Sequence, residues 1–220
     1  MDVSVSTRSD QSEICAAITE AEHRICQEDV DATVVVTDNP AELDDFNDTP
    51  LVVPVSSAPA VNTTQLCELL DRIDRDEHTE TVHTLLTVQQ NDTSLARISH
   101  DLTLVTTEPA HISEYRVSPK QSIRDSFRAD GVVLATPLGS DGYAHAAGGA
   151  VLHPTAGVAV VPISPFTTDT TSWVLSPPLT LTVERDDEIY VVADGKTVAT
   201  VGESDVLTID SGPAFVVASN

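Results

Sequence analysis

Apolar residues recur along this chain in two rhythms, and the change of rhythm divides it. Up to about residue 76, strand-like runs alternate with helical spacing. Residues 1–10 are polar and form either a mobile end or a short first strand through Val3 and Val5. Ile14, Ala17, Ile18, Ala21 and Ile25 share one helical face, which predicts a helix over 11–28 with Ser12 as N-cap. Ala32-Thr33-Val34-Val35-Val36 predicts a buried strand, broken at Thr37-Asp38-Asn39-Pro40. Residues 41–46 begin a short acidic turn. A second apolar strand covers 51–55, and 56–60 is a loop. Asn62 or Thr63 caps a helix over 65–75 with Leu66, Leu69, Leu70 and Ile73 inward. Strands alternating with helices predict a small α/β layer.

Beyond that point the period shortens to two. Strands are expected at 81–88, 95–98, 102–106, 112–117, 131–135, 157–162, 179–184, 188–192, 196–201, 206–208 and 214–218. Asp194-Gly195 reads as a hairpin turn. Short strands with turns about every ten residues predict a β-sandwich. The fold class is therefore α+β in two domains. A small α/β (Rossmann-like) domain over 1–80 is followed by a larger β-sandwich domain over 81–220, with the boundary near 76–82.

One stretch interrupts the strands. Residues 130–165 hold more than half of the chain's nine glycines. The apolar run 132–135 leads into Thr136-Pro137-Leu138-Gly139-Ser140-Asp141-Gly142-Tyr143, then a short helix at 144–147 that Gly148-Gly149 ends. Glycines without Cβ atoms let backbone approach a ligand closely, and the Tyr143 ring can stack on a flat group. Spacing alone leaves two readings open: a small-molecule site, or a tight turn in a β-rich domain.

Charge narrows the partners. With 35 acidic residues against 11 Lys and Arg, the net charge is −24. Only two lysines, Lys120 and Lys196, are present. Nucleic acid and anionic membrane need basic surface and are not expected. At about 1 M salt the screening length falls to roughly 3 Å, so such self-repulsion nearly vanishes. The acid surplus and scarce lysine suit a salt-loving organism. Cys15, Cys26 and Cys67 form no CxxC pair and read as buried thiols, and the seven histidines show no metal-ligand spacing. No run is long enough to span a membrane, and the N-terminus lacks a basic-then-apolar signal, so a cytoplasmic protein is expected.

The order of motifs in the glycine-rich stretch is more specific than its composition. Asp130-Gly131, Ala135-Thr136-Pro137, Gly139-Ser140, Tyr143, Ala147-Gly148-Gly149, Leu152-His153-Pro154 and Pro162-Ile163-Ser164-Pro165 follow one another at set intervals. This series resembles the signature half of the NAD kinases, closely over about 35 residues and loosely over about 130. The resemblance implies a small α/β domain followed by a β-sandwich, and NAD as ligand or substrate. It implies that Asp130 meets the nicotinamide end. It also implies that the turn carrying Gly139, Ser140, Asp141, Gly142 and Tyr143 surrounds the adenosine. His100-Asp101 stands where the family's Asn-Glu pair binds ribose hydroxyls. Asp141 replaces threonine and His100 replaces asparagine, while Asp101 keeps a carboxylate, the natural acceptor for paired hydroxyls. Without the resemblance, Asp130 and Asp101 read as turn caps or solvated acids.

The first domain departs further. The family carries G-G-D-G-T after an apolar strand, with glycines that cradle the ATP triphosphate and an aspartate that acts on the 2′-hydroxyl. Here the corresponding place reads Thr37-Asp38-Asn39-Pro40-Ala41, without glycine. Asn39 cannot take a proton, and Pro40 lacks an N–H. The segment that closes the family's sandwich is expected to be absent before Asn220. Two readings from different classes follow. One is an NAD kinase that uses ATP or polyphosphate with Mg²⁺, with Asp38 as the displaced aspartate and Asp44 or Asp45 as alternative metal partners. The other is an NAD- or NADP-binding protein that lost the phosphate half. A lipid or sphingoid kinase relative would share the two-domain plan, but the Thr136–Tyr143 turn and the Pro162–Pro165 element point to the dinucleotide branch. The family's usual dimers or tetramers, with sites shared between subunits, imply a homo-oligomer.

Overall fold

A computed structural model describes residues 1–7, 11–26, 32–43, 50–55, 62–108, 111–119, 126–167, 171–185, 188–203 and 205–219. The chain forms two compact units, Met1–His83 with Ala214–Asn220, and Thr84–Pro213. They are a small α/β domain and a larger β-sandwich, the two-domain α+β class expected.

The smaller unit is built on a parallel sheet. β1 (Asp2–Ser6) lies between β2 (Arg24–Ile25) and β3 (Val34–Thr37), and β3 pairs in turn with β4 (Leu51–Pro54). Helices α1 (Gln11–Glu20) and α2 (Thr63–Asp74) supply Ile14, Ile18, Leu66, Leu70 and Ile73 to a core with Val3, Val34, Val36 and Val53. Val35 and Val52 are buried too, so these strands read as unbroken valine runs rather than alternating ones. Asn62 caps α2 by accepting from Gln65 N at 3.2 Å.

The larger unit contains two antiparallel sheets. One holds β5 (Thr79–Gln90), β6 (Thr93–Ile98), β8 (Ser113–Pro119), β9 (Phe127–Ala129), β13 (Leu179–Arg185) and the first part of β16 (Val206–Ser219). The other runs in the order β12 (Trp173–Leu175), β11 (Val158–Ile163), β10 (Gly131–Ala135), β7 (Asp101–Thr106), β14 (Ile189–Ala193) and β15 (Lys196–Val201). Between the sheets lie Leu86, Ile98, Leu102, Leu104, Tyr115, Val132, Leu134 and Leu181 among others. The outer face of β10 and β11 is buried as well. Val133, Ala135, Ala159 and Val161 pack under Ala144 of α3 (Tyr143–Ala146).

Several expectations change. The helix predicted over 11–28 ends at Glu20, because Glu22 takes φ 63° and His23 N bonds back to Ile18 O at 3.1 Å. Ile25 is a strand residue paired with Val3, and residues 27–28 lie outside the described ones. Gln11, not Ser12, opens α1. The strands expected at 206–208 and 214–218 are one element, β16, whose last residues belong to the smaller unit, where Val217 pairs in parallel with Val52. Two short edge strands, β9 and β12, were not expected. The three cysteines form no disulfide among the described residues and are only part-buried. The loop at 56–60 lies outside the described residues.

Candidate functional site

Antiparallel pairing brings three strand ends to one edge of the second sheet. Ala135, the end of β10, faces Asp101, the start of β7. Ala193, the end of β14, faces Leu102. The chain turns at each place, so residues 99–101, 136–143 and 194–195 gather there.

The 99–101 turn is latched by one carboxylate. Asp194 and Gly195 take φ 44° and 77°, as a two-residue hairpin turn between β14 and β15 requires. This turn directs the buried Asp194 side chain onto the neighbouring one. Asp194 Oδ2 accepts from Ser99 N at 2.8 Å and Ser99 Oγ at 2.9 Å. Oδ1 accepts from His100 N at 2.8 Å and Asp101 N at 3.1 Å. In return, Asp194 N donates to Asp101 O at 2.9 Å.

The glycine turn is tied to the same place. Thr136 N donates to His100 O at 2.9 Å, and Thr136 Oγ1 donates to Ser99 O at 2.6 Å. Gly139 N donates to Thr136 Oγ1 at 3.3 Å. A Cβ on Gly139 would stand 2.4 Å from His100 O, so glycine is required by this contact. Ser140 is buried and its hydroxyl is used internally: it donates to Pro137 O at 2.8 Å and accepts from Leu152 N at 2.9 Å. Asp141, Gly142 and Tyr143 follow, all exposed. Gly148, at φ 98°, ends α3.

Electrostatics single out Asp101. Burial pushes its carboxyl above the ordinary 3.8, and the Asp194 carboxylate adds to the rise. A hydrogen bond from Thr103 Oγ1 at 3.2 Å pulls the other way, as would His100 were its ring protonated. The edge thus presents a carboxylate short of solvent and of counter-charge, which hydroxyl donors can stabilise.

Two predicted residues stand elsewhere. Asp130 lies at the opposite end of β10, with its backbone bonded to Ile163 O and Thr106 N. At about 3.3 Å per residue, it is about 20 Å along the strand from Thr136. Asp38 is a buried residue of the smaller unit. Around it the backbone donors are already engaged. Asn39 N donates to Thr37 Oγ1, Ala41 N to Asn39 Oδ1, Glu42 N to Asn39 O and Leu43 N to Pro40 O. Pro40 has no N–H to give, so the turn as folded is not a triphosphate cradle. Asp44 and Asp45 lie outside the described residues. Among the described residues, no cluster of three or more His, Cys, Asp or Glu is arranged to hold a metal ion.

Sequence reasoning missed Asp194 as a site residue. Asp-Gly is so common a hairpin pair that its carboxylate gave no separate signal. Its partners lie 93 to 95 residues away in the chain.

Comparison with known proteins gives this arrangement a family. Residues 99–218 match the ATP-NAD kinase C-terminal domain, and the chain belongs to that family. It is 32% identical over 123 residues to the NAD kinase of Methanosarcina acetivorans, covering 54% of this chain and 45% of that protein. To the NAD kinase of Methanosphaera stadtmanae it is 39% identical over 80 residues, 36% of this chain and 29% of that protein. The match therefore spans less than half the length of these curated relatives. The fold is similar to the NAD kinase of Archaeoglobus fulgidus, solved in complex with ATP, at TM-score 0.73 and 18% identity. That likeness covers 100% of this chain and 94% of that one. Yeast NADH kinase complexed with NADH is similar at TM-score 0.77 and 12% identity, over 100% of this chain and 83% of that one. No helix among the described residues is long and apolar enough to cross a membrane.

Proposed function

We propose that the larger unit binds a nicotinamide adenine dinucleotide at the edge where residues 99–101, 136–143 and 194 meet. We further propose that the protein phosphorylates the adenosine 2′-hydroxyl of NAD to give NADP, with ATP or polyphosphate as donor. The observation that carries this reading is the double latch. Asp194 and Thr136 hold the backbone of residues 99–101 against the Gly139 turn, and Tyr143 is left 48% exposed. Asp101 and His100 take ribose hydroxyls, and the Tyr143 ring stacks on a base. Asp141 and Gly142 flank it, while Gly139 and Ser140 shape the bend. Asp130 meets the nicotinamide end from a second copy of the chain, since its place along β10 is far from Tyr143. The protein is then a homo-oligomer. Residues 1–80 form the phosphate side and 81–220 the dinucleotide side. Mg²⁺ enters on the donor's phosphates, and Asp38 takes the part of the displaced aspartate. Cytoplasmic location in a salt-rich cell accords with the charge of −24.

The engaged amides of residues 39–43 favour a second reading, a dinucleotide-binding protein without transfer activity. Incubation of the protein with NAD, Mg²⁺ and either donor in molar KCl separates the two. NADP formation that Asp38→Ala abolishes supports the kinase. Binding of NAD or NADP without NADP formation supports the second reading. Absence of binding contradicts both.

A further inference from the structure

His100 is held by a chain of hydrogen bonds that decides which of its ring nitrogens carries the proton. Ser99 Oγ lies 2.9 Å from Asp194 Oδ2 and 2.8 Å from His100 Nδ1. Asp194 accepts backbone N–H groups at both of its oxygens, from Ser99, His100 and Asp101. It is therefore an acceptor throughout, and a carboxylate has no proton to return. The Ser99 hydroxyl has one proton, and toward Asp194 it must donate it. Toward the imidazole it then has only lone pairs to offer, so Nδ1–H is the donor in that bond. A neutral imidazole protonated at Nδ1 keeps its lone pair at Nε2. Nε2 makes no hydrogen bond among the described residues, and the ring is only part-buried.

We propose that Asp194 and Ser99 are positioning residues that fix His100 in its Nδ1–H form, so that Nε2 is a ready acceptor for a ribose hydroxyl of the bound dinucleotide. The asparagine found at this position in the family resemblance carries both a donor and an acceptor. A tautomer-locked histidine offers acceptance alone. With the Asp101 carboxylate on the next residue, the turn supplies two acceptors on consecutive residues, a set suited to the two donors of a sugar diol. The tautomer follows from the Asp194–Ser99–His100 hydrogen bonds. The ligand assigned to Nε2 rests on the dinucleotide-binding reading above.

The test is long-range ¹H–¹⁵N spectroscopy of the histidine rings in the full chain, combined with NAD titration in molar KCl. In the wild type, His100 is expected to show a protonated Nδ1 and a pyridine-like Nε2, and the Nε2 signal should move upfield as NAD is added. Ser99→Ala keeps the backbone latch but removes the relay. It should give a mixture containing Nε2–H and weaken NAD binding by about three- to tenfold, the range of one uncharged hydrogen bond. Ser99→Thr should restore both. His100→Ala should weaken binding by at least as much, and His100→Asn, which keeps an acceptor, by less. An Nε2–H ring in the wild type overturns the relay. Wild-type NAD affinity in both Ser99→Ala and His100→Ala overturns the role of Nε2 while leaving dinucleotide binding intact. A locked Nδ1–H ring in a protein that binds no NAD overturns the assigned ligand together with the dinucleotide reading.

Discussion

Two strand-end turns of this molecule are anchored differently. In the smaller unit, the turn after β3 satisfies itself. Asn39 closes it from within, accepting from Ala41 N at 3.2 Å and donating through Nδ2 to Glu42 Oε1 at 3.2 Å. In the larger unit, the turn after β10 bonds within itself, Gly139 N to Thr136 Oγ1 and Gly142 N to Gly139 O, and is also held from outside, by Thr136 reaching Ser99 and by Gly139 resting against the His100 backbone. A turn closed on its own amides has none left for an anion. A turn fixed by neighbours keeps its next residues, 141–143, at the surface. The turn after β3 is thus a capped bend, whereas the turn after β10 leaves Asp141, Gly142 and Tyr143 exposed.

The Asp194 latch carries the largest expected effect. Asp194→Ala would leave the Ser99, His100 and Asp101 amides without their acceptor. Hydrogen bonds to a charged group contribute about 1.5–3 kcal/mol each, so the larger unit should lose about 3 kcal/mol or more. Chemical denaturation measures this, and a loss under about 1 kcal/mol would show that the latch is incidental. Next in size, Tyr143→Ala should weaken NAD binding by about 1–3 kcal/mol if the ring stacks on a base. An unchanged affinity removes Tyr143 from the site. For the self-closed turn, Asn39→Ala should cost about 1 kcal/mol of stability, the usual worth of such a cap, and leave NAD binding untouched. A change in NAD affinity would mean that the two turns are not separate in function.

The smallest effect sharpens the electrostatic side. The Asp101 carboxyl is raised in the folded protein, so the folded state binds its proton more tightly than the unfolded chain does. Below the ordinary value of 3.8 this stabilisation is fully present, and it is lost as pH rises from there through the raised folded value. Above that window the ionised Asp101 works against the fold. Asp101→Asn should therefore remove this part of the pH dependence and melt no lower than wild type at pH 7, while binding NAD more weakly. A variant that melts lower at pH 7 would contradict the assignment.

Much of this was legible in the chain because burial on both faces leaves a plain mark. The 131–135 run is apolar at every position, since Val132 and Leu134 enter the sandwich core while Val133 and Ala135 are covered from outside. The hairpin at Asp194-Gly195 was readable for a similar reason, as local backbone angles demand those residue types. Ile25 misled because its spacing from Ile14 and Ile18 fits a helix, although a left-handed Glu22 turns the chain first. β9 and β12 are three residues long and, among the described residues, each pairs on one side only, too short for a period to show. In the site, His100, Asp101 and the glycine turn were visible as a motif series. The carboxylate that joins them was not. Its bonds cross more than ninety residues, and no local pattern records such a reach.

The claim at the centre is that the externally latched turn grips a dinucleotide. Calorimetric titration of NAD into the full chain at about 1 M KCl, where screening silences most surface repulsion, tests it most directly. Saturable binding is expected, weakened by Tyr143→Ala and not by Asn39→Ala. Heat no greater than dilution, with NAD and NADP alike and with the protein folded, would contradict it.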